Sequence, residues 1–397
     1  MNKKLVAVAI AGVLAAPLAQ AQTANVTLYG RMNLDMEVVN ANGDTNRGGV
    51  DNNIYRVSSN SSRFGVRGTE ALGGGLSAIF QIENSVNGDA GGGVIAARES
   101  FVGLQGAWGT FKMGNFLSPY DDITSIFASV PTLNTGIMAA QAIWGQATQS
   151  NANGGFDNRN PNSARYDTPI MAGFNGSVQY SSTGNSPAPS PGATTAGATE
   201  GVPRSNSGVW VLGGFYNNGP ASLGVAYAQN NSVRGVGLTD YAFSVAGGWQ
   251  FTNFKIVGVW ERLDYDVYGV TTATKNDLKR DFWSLGTTIN IGPGQMYASY
   301  GMAYEGKGSA PNCIVVNGLV TNSATCQVGQ VRKGDDTGAY MWTVSYTYPL
   351  SKRTLMYAAY VKVSNDDNGI YNFNAGPSGV TTGSAPGGFA MGMVNFF

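Results

Sequence analysis

The stretch NVTLYGRMNLDMEVV, residues 25–39, alternates apolar and polar side chains almost without interruption. A period of two residues is that of a β-strand, which turns successive side chains to opposite faces. One face of this strand is therefore apolar, and the other carries charged and hydrogen-bonding groups. The apolar face holds Val26, Leu28, Met32, Leu34, Met36 and Val38, and the polar face holds Tyr29, Arg31, Asn33, Asp35 and Glu37.

The same alternation continues to the end of the chain, where we count sixteen candidate strands. Tight turns such as Thr252-Asn253 separate some neighbouring strands, and long polar connections separate others. An even number of strands with short turns at one end and long loops at the other predicts an all-β, antiparallel transmembrane β-barrel. The long connections are residues 40–53, 85–96, 183–206, 269–280, 307–336 and 365–387.

Composition indicates which way the apolar faces point. Only 12% of the 397 residues are charged, against about 25% in a typical soluble domain. Tyrosine and tryptophan recur near the strand ends, as in the aromatic girdles of membrane barrels. The polar faces are rich in glycine, serine and threonine and poor in lysine and glutamate, unlike a soluble surface. We therefore expect apolar faces toward lipid and a polar lumen inside.

The N-terminus has the pattern of a secretory signal. Lys3 and Lys4 precede a short apolar run, and Ala19-Gln20-Ala21 fits the small-residue cleavage rule. The sequence thus predicts a signal peptide over 1–21 and a barrel domain over 22–397. A membrane anchor is disfavoured because the run is short of about 20 residues. Export also exposes Cys313 and Cys326 to an oxidising compartment, which favours a disulfide over a metal-binding pair.

Several classes of function are disfavoured by the same composition. Without Lys3 and Lys4 the chain has 22 basic and 24 acidic residues, a balance that does not suggest nucleic-acid binding. No histidine is present, and histidine is the usual base or orienting group in catalysis. We therefore expect a protein that is not an enzyme, and the sequence implies no cofactor. A narrow structural barrel, at about eight strands, is too small for this chain.

Alternation also names the side chains that would line a lumen. Arg63 and Arg67 share one face of the second strand. On the fourth strand, Arg98 precedes Phe101 by three positions and so takes the opposite, inward face. Arg165 takes the inward face of the sixth strand. A charge on the lipid face near the midplane would cost about 2–4 kcal/mol, so these arginines are expected to point inward with Arg31.

The longest connection lies between Phe116 and Asn160 and has little strand character. A loop of this length in a compact protein is usually functional or disordered. Its first half is apolar, which argues against a free external flap, so we expect it to fold inward as a constriction loop. Tyr120, Asp121 and Asp122 would then face Arg31, Arg63, Arg98 and Arg165, and opposed charges in a narrow pore bias ion passage.

Four stretches resemble the general diffusion porins of Gram-negative outer membranes, particularly those of β-proteobacteria. They are NVTLYGRMNLD, SSRFGVRGTEALGGGLSAIFQIE, ARESFVGLQGAWGTFKMGNFLSPYDD and NSARYDTPIMAGF, together with the terminal Phe397. The resemblance implies a homotrimer of sixteen-stranded barrels in outer-membrane lipid, each with its own pore and an inward third loop. By position, Arg31, Arg63, Arg67 and Arg98 resemble the basic wall residues of that family and Arg165 another, while Asp121 and Asp122 stand where its constriction loop begins.

The chain departs from the family pattern at three places. Ala71 stands where an acid is usual, Gly114-Asn115-Phe116 lacks an expected arginine, and Val130–Gly136 contains no acid. We therefore predict an outer-membrane channel for passive diffusion of ions and small hydrophilic solutes, with weak anion selectivity. The alternative is a channel specific for sugars or organic anions, to which Tyr29 and Tyr120 would contribute binding surface.

Overall fold

The computed structural model describes residues 25–42, 53–127, 136–139, 143–146, 149–182, 207–269, 274–316 and 319–397. The predicted signal peptide over 1–21 and the predicted loop over 183–206 lie outside these ranges. The long strands form one sheet, and the first and last strands of this sheet pair with each other.

Sixteen barrel strands run through the described residues, and two of them are interrupted. Strand β2 is broken at 60–62, where Ser61 has a φ of 55°, and β4 is preceded by the two-residue piece Gly93–Val94. The strands are β1 (Asn25–Asn40), β2 (Ile54–Ser59 and Arg63–Gly73), β3 (Leu76–Val86), β4 (Ser100–Gly106), β5 (Gly109–Leu117), β6 (Arg159–Asp167), β7 (Phe174–Ser182), β8 (Gly208–Asn218), β9 (Ala221–Asn231), β10 (Thr239–Gln250), β11 (Phe254–Tyr268), β12 (Lys275–Ile291), β13 (Gly294–Ala303), β14 (Ala339–Pro349), β15 (Thr354–Asn365) and β16 (Gly387–Phe396).

Antiparallel pairing closes the sheet into a barrel. Each strand pairs with its neighbours in the chain, and β1 pairs on its other edge with β16, from Arg31 opposite Phe396 to Asn40 opposite Gly387. Closure pairs the backbone amides of the edge strands, which a sheet in hydrocarbon requires because lipid offers no hydrogen bonds. The predicted sixteen-stranded antiparallel barrel is confirmed.

The two faces of the strands are divided as the alternation predicts. On β1, Met36 is 68% exposed on the outside whereas Glu37, the next residue, is 2% exposed. Leu28 is likewise 65% exposed, and Arg31 and Asp35 are buried. The barrel therefore has an apolar exterior and a polar interior, and alternation in the sequence sets this arrangement directly.

One end of the barrel has short turns and the other has long connections, but one predicted loop is wrong. Residues 269–280 were expected to form a loop, whereas β11 continues to Tyr268 and β12 already begins at Lys275. Opposite charges pair across these two strands, Arg262 with Asp281 at 2.7 Å and Lys275 with Asp266 at 3.5 Å. Cross-strand pairs of opposite charge stabilise a ladder, so a polar segment extends the hairpin here.

Within the described ranges, helical structure is confined to short turns in two connections. Between β5 and β6 lie α1 (Pro119–Asp122), α2 (Thr124–Phe127) and the 3-10 turns Gly136–Met138, Trp144–Gln146 and Asn151–Asn153. Between β13 and β14 lie α3 (Ser323–Cys326) and two small ribbons, Val315–Val316 with Leu319–Val320 and Gln327–Val328 with Val331–Arg332. Among the residues described, no helix has the length and apolar character needed to span a membrane.

Candidate functional site

The connection between β5 and β6, here called the inner segment (residues 118–158), lies against inward-facing side chains of the barrel. Trp144 Nε1 donates to Ser244 Oγ of β10 at 2.9 Å. Lys255 Nζ of β11 donates to the carbonyl of Ile126 at 3.0 Å. Because Ser244 is buried beneath the segment, these contacts place its described residues inside the lumen.

Aromatic stacking and two wall glycines fit the inner segment to the barrel. Tyr120 stacks on Trp144 with ring centroids 4.9 Å apart. A Cβ at Gly213 of β8 would lie 2.8 Å from Pro119, and one at Gly224 of β9 would lie 2.6 Å from Ile126. Both distances are too short for a real contact, so the absence of side chains at these glycines lets the segment approach the backbone of the wall.

A buried ion pair anchors the inner segment to the wall. Glu261 of β11 pairs with Arg280 of β12, and both side chains are fully buried. The Glu261 carboxylate also accepts hydrogen bonds of 2.6 Å from the Tyr120 hydroxyl and from the Gly145 amide. Arg280 Nη1 donates to the carbonyl of Ile143 at 2.9 Å. Each charge of the pair therefore also binds the inner segment, which lowers the cost of its burial.

The opposite wall holds a cluster of arginines around a single carboxylate. Glu83 of β3 accepts a 2.6 Å bond from Arg98 Nε and lies 3.4 Å from Arg63 Nε. The Tyr29 hydroxyl donates to the same carboxylate at 3.0 Å. Arg67 lies over the Tyr29 ring, 5.0 Å from its centroid. One carboxylate thus orders several guanidinium groups, most of whose charge it leaves uncompensated.

Arg31 completes this basic wall without a carboxylate partner of its own among the described residues. Its Nε donates to the carbonyl of Ser61 at 3.2 Å, at the interruption of β2. Arg31 lies near enough to Arg63 and Arg98 for the three charges to repel one another. Four predicted residues, Arg31, Arg63, Arg67 and Arg98, therefore lie together on the β1–β4 side of the lumen.

The acids of the inner segment take two different positions. Asp122 forms an ion pair with Arg165 of β6, whose Nε also binds Asp167 at 2.8 Å. Asp121 instead lies beside Asp157 at the other end of the segment. Burial, with the neighbouring Asp157 carboxyl, raises the pKa of Asp121 well above its ordinary value. Burial also raises the pKa of Asp122, against the opposing effect of Arg165.

The predicted facing of loop against wall holds for one arginine of the four. Asp122 meets Arg165, but Arg31, Arg63 and Arg98 gather at Glu83 instead. Tyr120, predicted to line the pore, is fully buried against β11. Its ring packs on Trp144 and its hydroxyl reaches Glu261, so the aromatic side chain turns away from the lumen.

Several charged residues of the site were missed from the sequence, among them Glu261, Arg280 and Arg159. Glu261 lies between Trp260 and Arg262, which face outward, so alternation along β11 turns its side chain inward. Stricter use of alternation would therefore have found Glu261. Arg159, which lies 3.6 Å from Glu99, is six positions before Arg165 and so has the same parity. Asn162, with a φ of 52°, interrupts the alternation between Arg159 and Arg165.

The sequence and the fold both match known proteins. A family model described as Gram-negative porin matches residues 6–368. "Outer membrane porin protein 32" of Delftia acidovorans is 27% identical over 411 residues, covering all of both chains. The solved structure "Anion-selective porin from Comamonas acidovorans" superposes with a TM-score of 0.72 at 23% identity, covering 94% of this chain and 100% of that one. The trimer form of OmpT from Vibrio cholerae gives a TM-score of 0.62 at 14% identity, covering 95% and 100%.

A closed sixteen-stranded barrel with a lipid-compatible exterior and a charged interior defines an outer-membrane channel. Since the family match covers most of its length, the chain belongs to the Gram-negative porins.

Proposed function

We propose that this porin is a passive diffusion channel whose lumen is narrowed by the inner segment and is weakly selective for anions. The observation that carries the proposal is the basic wall, where Arg31, Arg63 and Arg98 gather at the carboxylate of Glu83. Arg67 adds its charge above the ring of Tyr29, whose hydroxyl binds the same carboxylate. Rings of charged side chains set ion selectivity in pores because the field is strongest where the passage is narrow.

The charges around the inner segment support weak rather than strong selectivity. In the linked group of charges that runs from Arg31 to Arg165, carboxyl groups are nearly as numerous as cations. The Asp121–Asp157 pair retains a proton more readily than two separate carboxyls would. The cations are Arg31, Arg63, Arg67, Arg98, Lys112, Arg159 and Arg165, and the carboxyls are Glu83, Glu99, Asp121, Asp122, Asp157 and Asp167.

The remaining features of the proposal concern processing and assembly. Removal of residues 1–21 on export would leave the barrel domain, and the short turns would face the periplasm. The apolar exterior would contact outer-membrane lipid and the neighbouring subunits of a homotrimer. The trimer form of the OmpT structure supports this assembly by fold alone. The proposed activity is diffusion down a gradient, with no chemical step and no cofactor.

Single-channel recording in a planar bilayer under a KCl gradient tests the proposal. We expect a steady ohmic conductance and a reversal potential that favours chloride. Arg63→Glu should shift the potential toward potassium, whereas Lys352→Glu in the short turn between β14 and β15 should not. A potassium-favouring wild-type potential would contradict the selectivity, and absence of conductance would contradict the channel itself. Flux that saturates with one solute would indicate the substrate-specific alternative.

A further inference from the structure

A second connection also reaches into the barrel. Residues 304–338, here called the outer loop, join β13 to β14 and are described apart from 317–318. The loop is attached to β12 at Tyr304, whose amide donates to the Asp281 carbonyl at 2.9 Å, and at Lys307, whose amide and carbonyl pair with those of Lys279 at 2.8 and 2.7 Å. The Gly334 amide then donates to the Gly306 carbonyl at 3.2 Å. The start of the loop is thus fixed to β12, and the far end of the loop is fixed to its start.

The disulfide lies between this attachment and the tip of the outer loop. Cys313 and Cys326 are joined, with Cα atoms 5.2 Å apart. Both cysteines also bind the backbone of Lys333, Cys313 through its amide and Cys326 through its carbonyl, each at 2.9 Å. The ribbon formed by Gln327–Val328 and Val331–Arg332 begins directly at Cys326. The covalent bond therefore fixes the base of this ribbon.

The tip of the ribbon binds the inner segment at Gln146. The amide of Gln330 donates to Gln146 Oε1 at 2.7 Å, and Gln146 Nε2 donates to the Val328 carbonyl at 3.4 Å. Gln146 Nε2 also binds the hydroxyl of Tyr265 on β11. Gln146 is fully buried, so this side chain joins outer loop, inner segment and wall at one point.

Two glycines make the contact between the loops possible. A Cβ at Gly329 would lie 2.4 Å from Gln146 Oε1, and a Cβ at Gly154 would lie 2.4 Å from Val328 Cγ1. Both residues have positive φ, 56° and 91°, which glycine adopts without strain. Residues from both loops are therefore shaped for this one contact.

We propose that the outer loop is a strut, closed by the disulfide, which holds the inner segment in position, and that Gln146 is its positioning residue. The inference rests on the proposed channel function. Glu261 and Arg280 hold the inner segment to the wall at Tyr120, Ile143 and Gly145. The strut holds it at Gln146, from the side of the long loops. A segment released from the strut samples more positions, so the width of the passage fluctuates.

Open-channel current noise measures this fluctuation directly. Gly329→Ala would force the ribbon off Gln146, and Gln146→Leu would keep most of the volume while removing its hydrogen bonds. Loss of a buried hydrogen bond shifts the equilibrium between the held and the released inner segment by about fivefold. We therefore expect the variance of the open-channel current to rise by about that factor in both variants. Gly237→Ala is the matched control, since Gly237 has a φ of 79° but nothing within 4 Å of its Cβ position.

Removal of the disulfide tests the covalent part of the strut. We expect the Cys313→Ser/Cys326→Ser variant, and the wild type after reduction by a phosphine, to show the same rise in noise with an unchanged circular dichroism spectrum. Noise equal to that of the Gly237→Ala control in all these samples would overturn the strut while leaving the channel function intact. A wild type that does not conduct would instead contradict the proposed function.

Discussion

The hydroxyl of Tyr120 donates a 2.6 Å hydrogen bond to the carboxylate of Glu261, which lies 141 positions away in the sequence. The bond joins the start of the inner segment to the far wall of the barrel. Glu261 is fully buried and shares its charge with Arg280. This contact is one of those that fix the inner segment within the lumen.

Replacement of Tyr120 by phenylalanine should loosen the inner segment without changing the aromatic packing on Trp144. A hydrogen bond to a charged group contributes about 1.5–3 kcal/mol, and the Tyr120→Phe variant should lose that much free energy of unfolding. Thermal unfolding in detergent measures the loss. Tyr166→Phe is the control, since that hydroxyl binds the Trp108 carbonyl at 2.6 Å at an exposed site. Equal losses in the two variants would contradict the special role of Tyr120.

Removal of one charge from the buried pair should be more damaging. In the Glu261→Gln variant, Arg280 retains a buried charge without its partner, at a cost of about 3–5 kcal/mol. The neighbouring positions Arg262 and Asp281 form an exposed pair at 2.7 Å on the same two strands. Arg262→Gln should therefore cost no more than about 1 kcal/mol. Chemical denaturation of both variants measures these two losses in free energy of unfolding. A loss for Glu261→Gln as small as that for Arg262→Gln would show that water reaches the buried pair.

Removal of the carboxylate at the centre of the basic wall should strengthen anion preference. Glu83 lies within 3.4 Å of Arg63 and within 2.6 Å of Arg98, and its neutralisation leaves their charges uncompensated. The reversal potential of Glu83→Gln under a KCl gradient should move toward chloride, opposite to Arg63→Glu. Glu70→Gln, near the short turn after β2, is the control and should leave the potential unchanged. A shift toward potassium would mean that Glu83 acts mainly by ordering the arginines.

The Asp121–Asp157 pair predicts a dependence on pH. Folding raises the pKa of Asp121 above its ordinary value of 3.8, so the folded chain binds more protons than the unfolded chain between these two values. The free energy of unfolding should therefore decrease as the pH rises through the folded pKa. Asp121→Asn should remove this decrease and stabilise the barrel at neutral pH.

Thermal midpoints across the acidic to neutral range measure the effect on stability, with Asp367→Asn in an external connection as control. Chloride preference should also increase on acidification, because protonation removes negative charge beside the passage. A midpoint that rises with pH in the wild type and not in Asp121→Asn would contradict the raised pKa.

Much of the barrel could be predicted from the sequence because the alternation of apolar and polar residues is a local pattern. Period-two alternation fixes which side of each strand faces lipid, and Arg31, Arg63 and Arg165 lie on the inward faces that it gives. The alternation is interrupted where the backbone departs from the regular pleat, as at Asn162. Its use for loop lengths failed at 269–280, where charge pairs across β11 and β12 continue a polar hairpin.

The course of the inner segment was decided only in three dimensions. Apolar content indicated that it would not be free in solvent, but Tyr120 could equally have faced the lumen by that argument. The position of the inner segment depends on Glu261, on the wall glycine Gly213 and on Gln330 at the tip of the ribbon, all of which are distant from it in sequence. The sequence by itself therefore determined the closed barrel and its two faces, because alternation acts residue by residue. The tertiary structure decided which charges meet inside, because those meetings depend on side chains brought together only when the barrel closes.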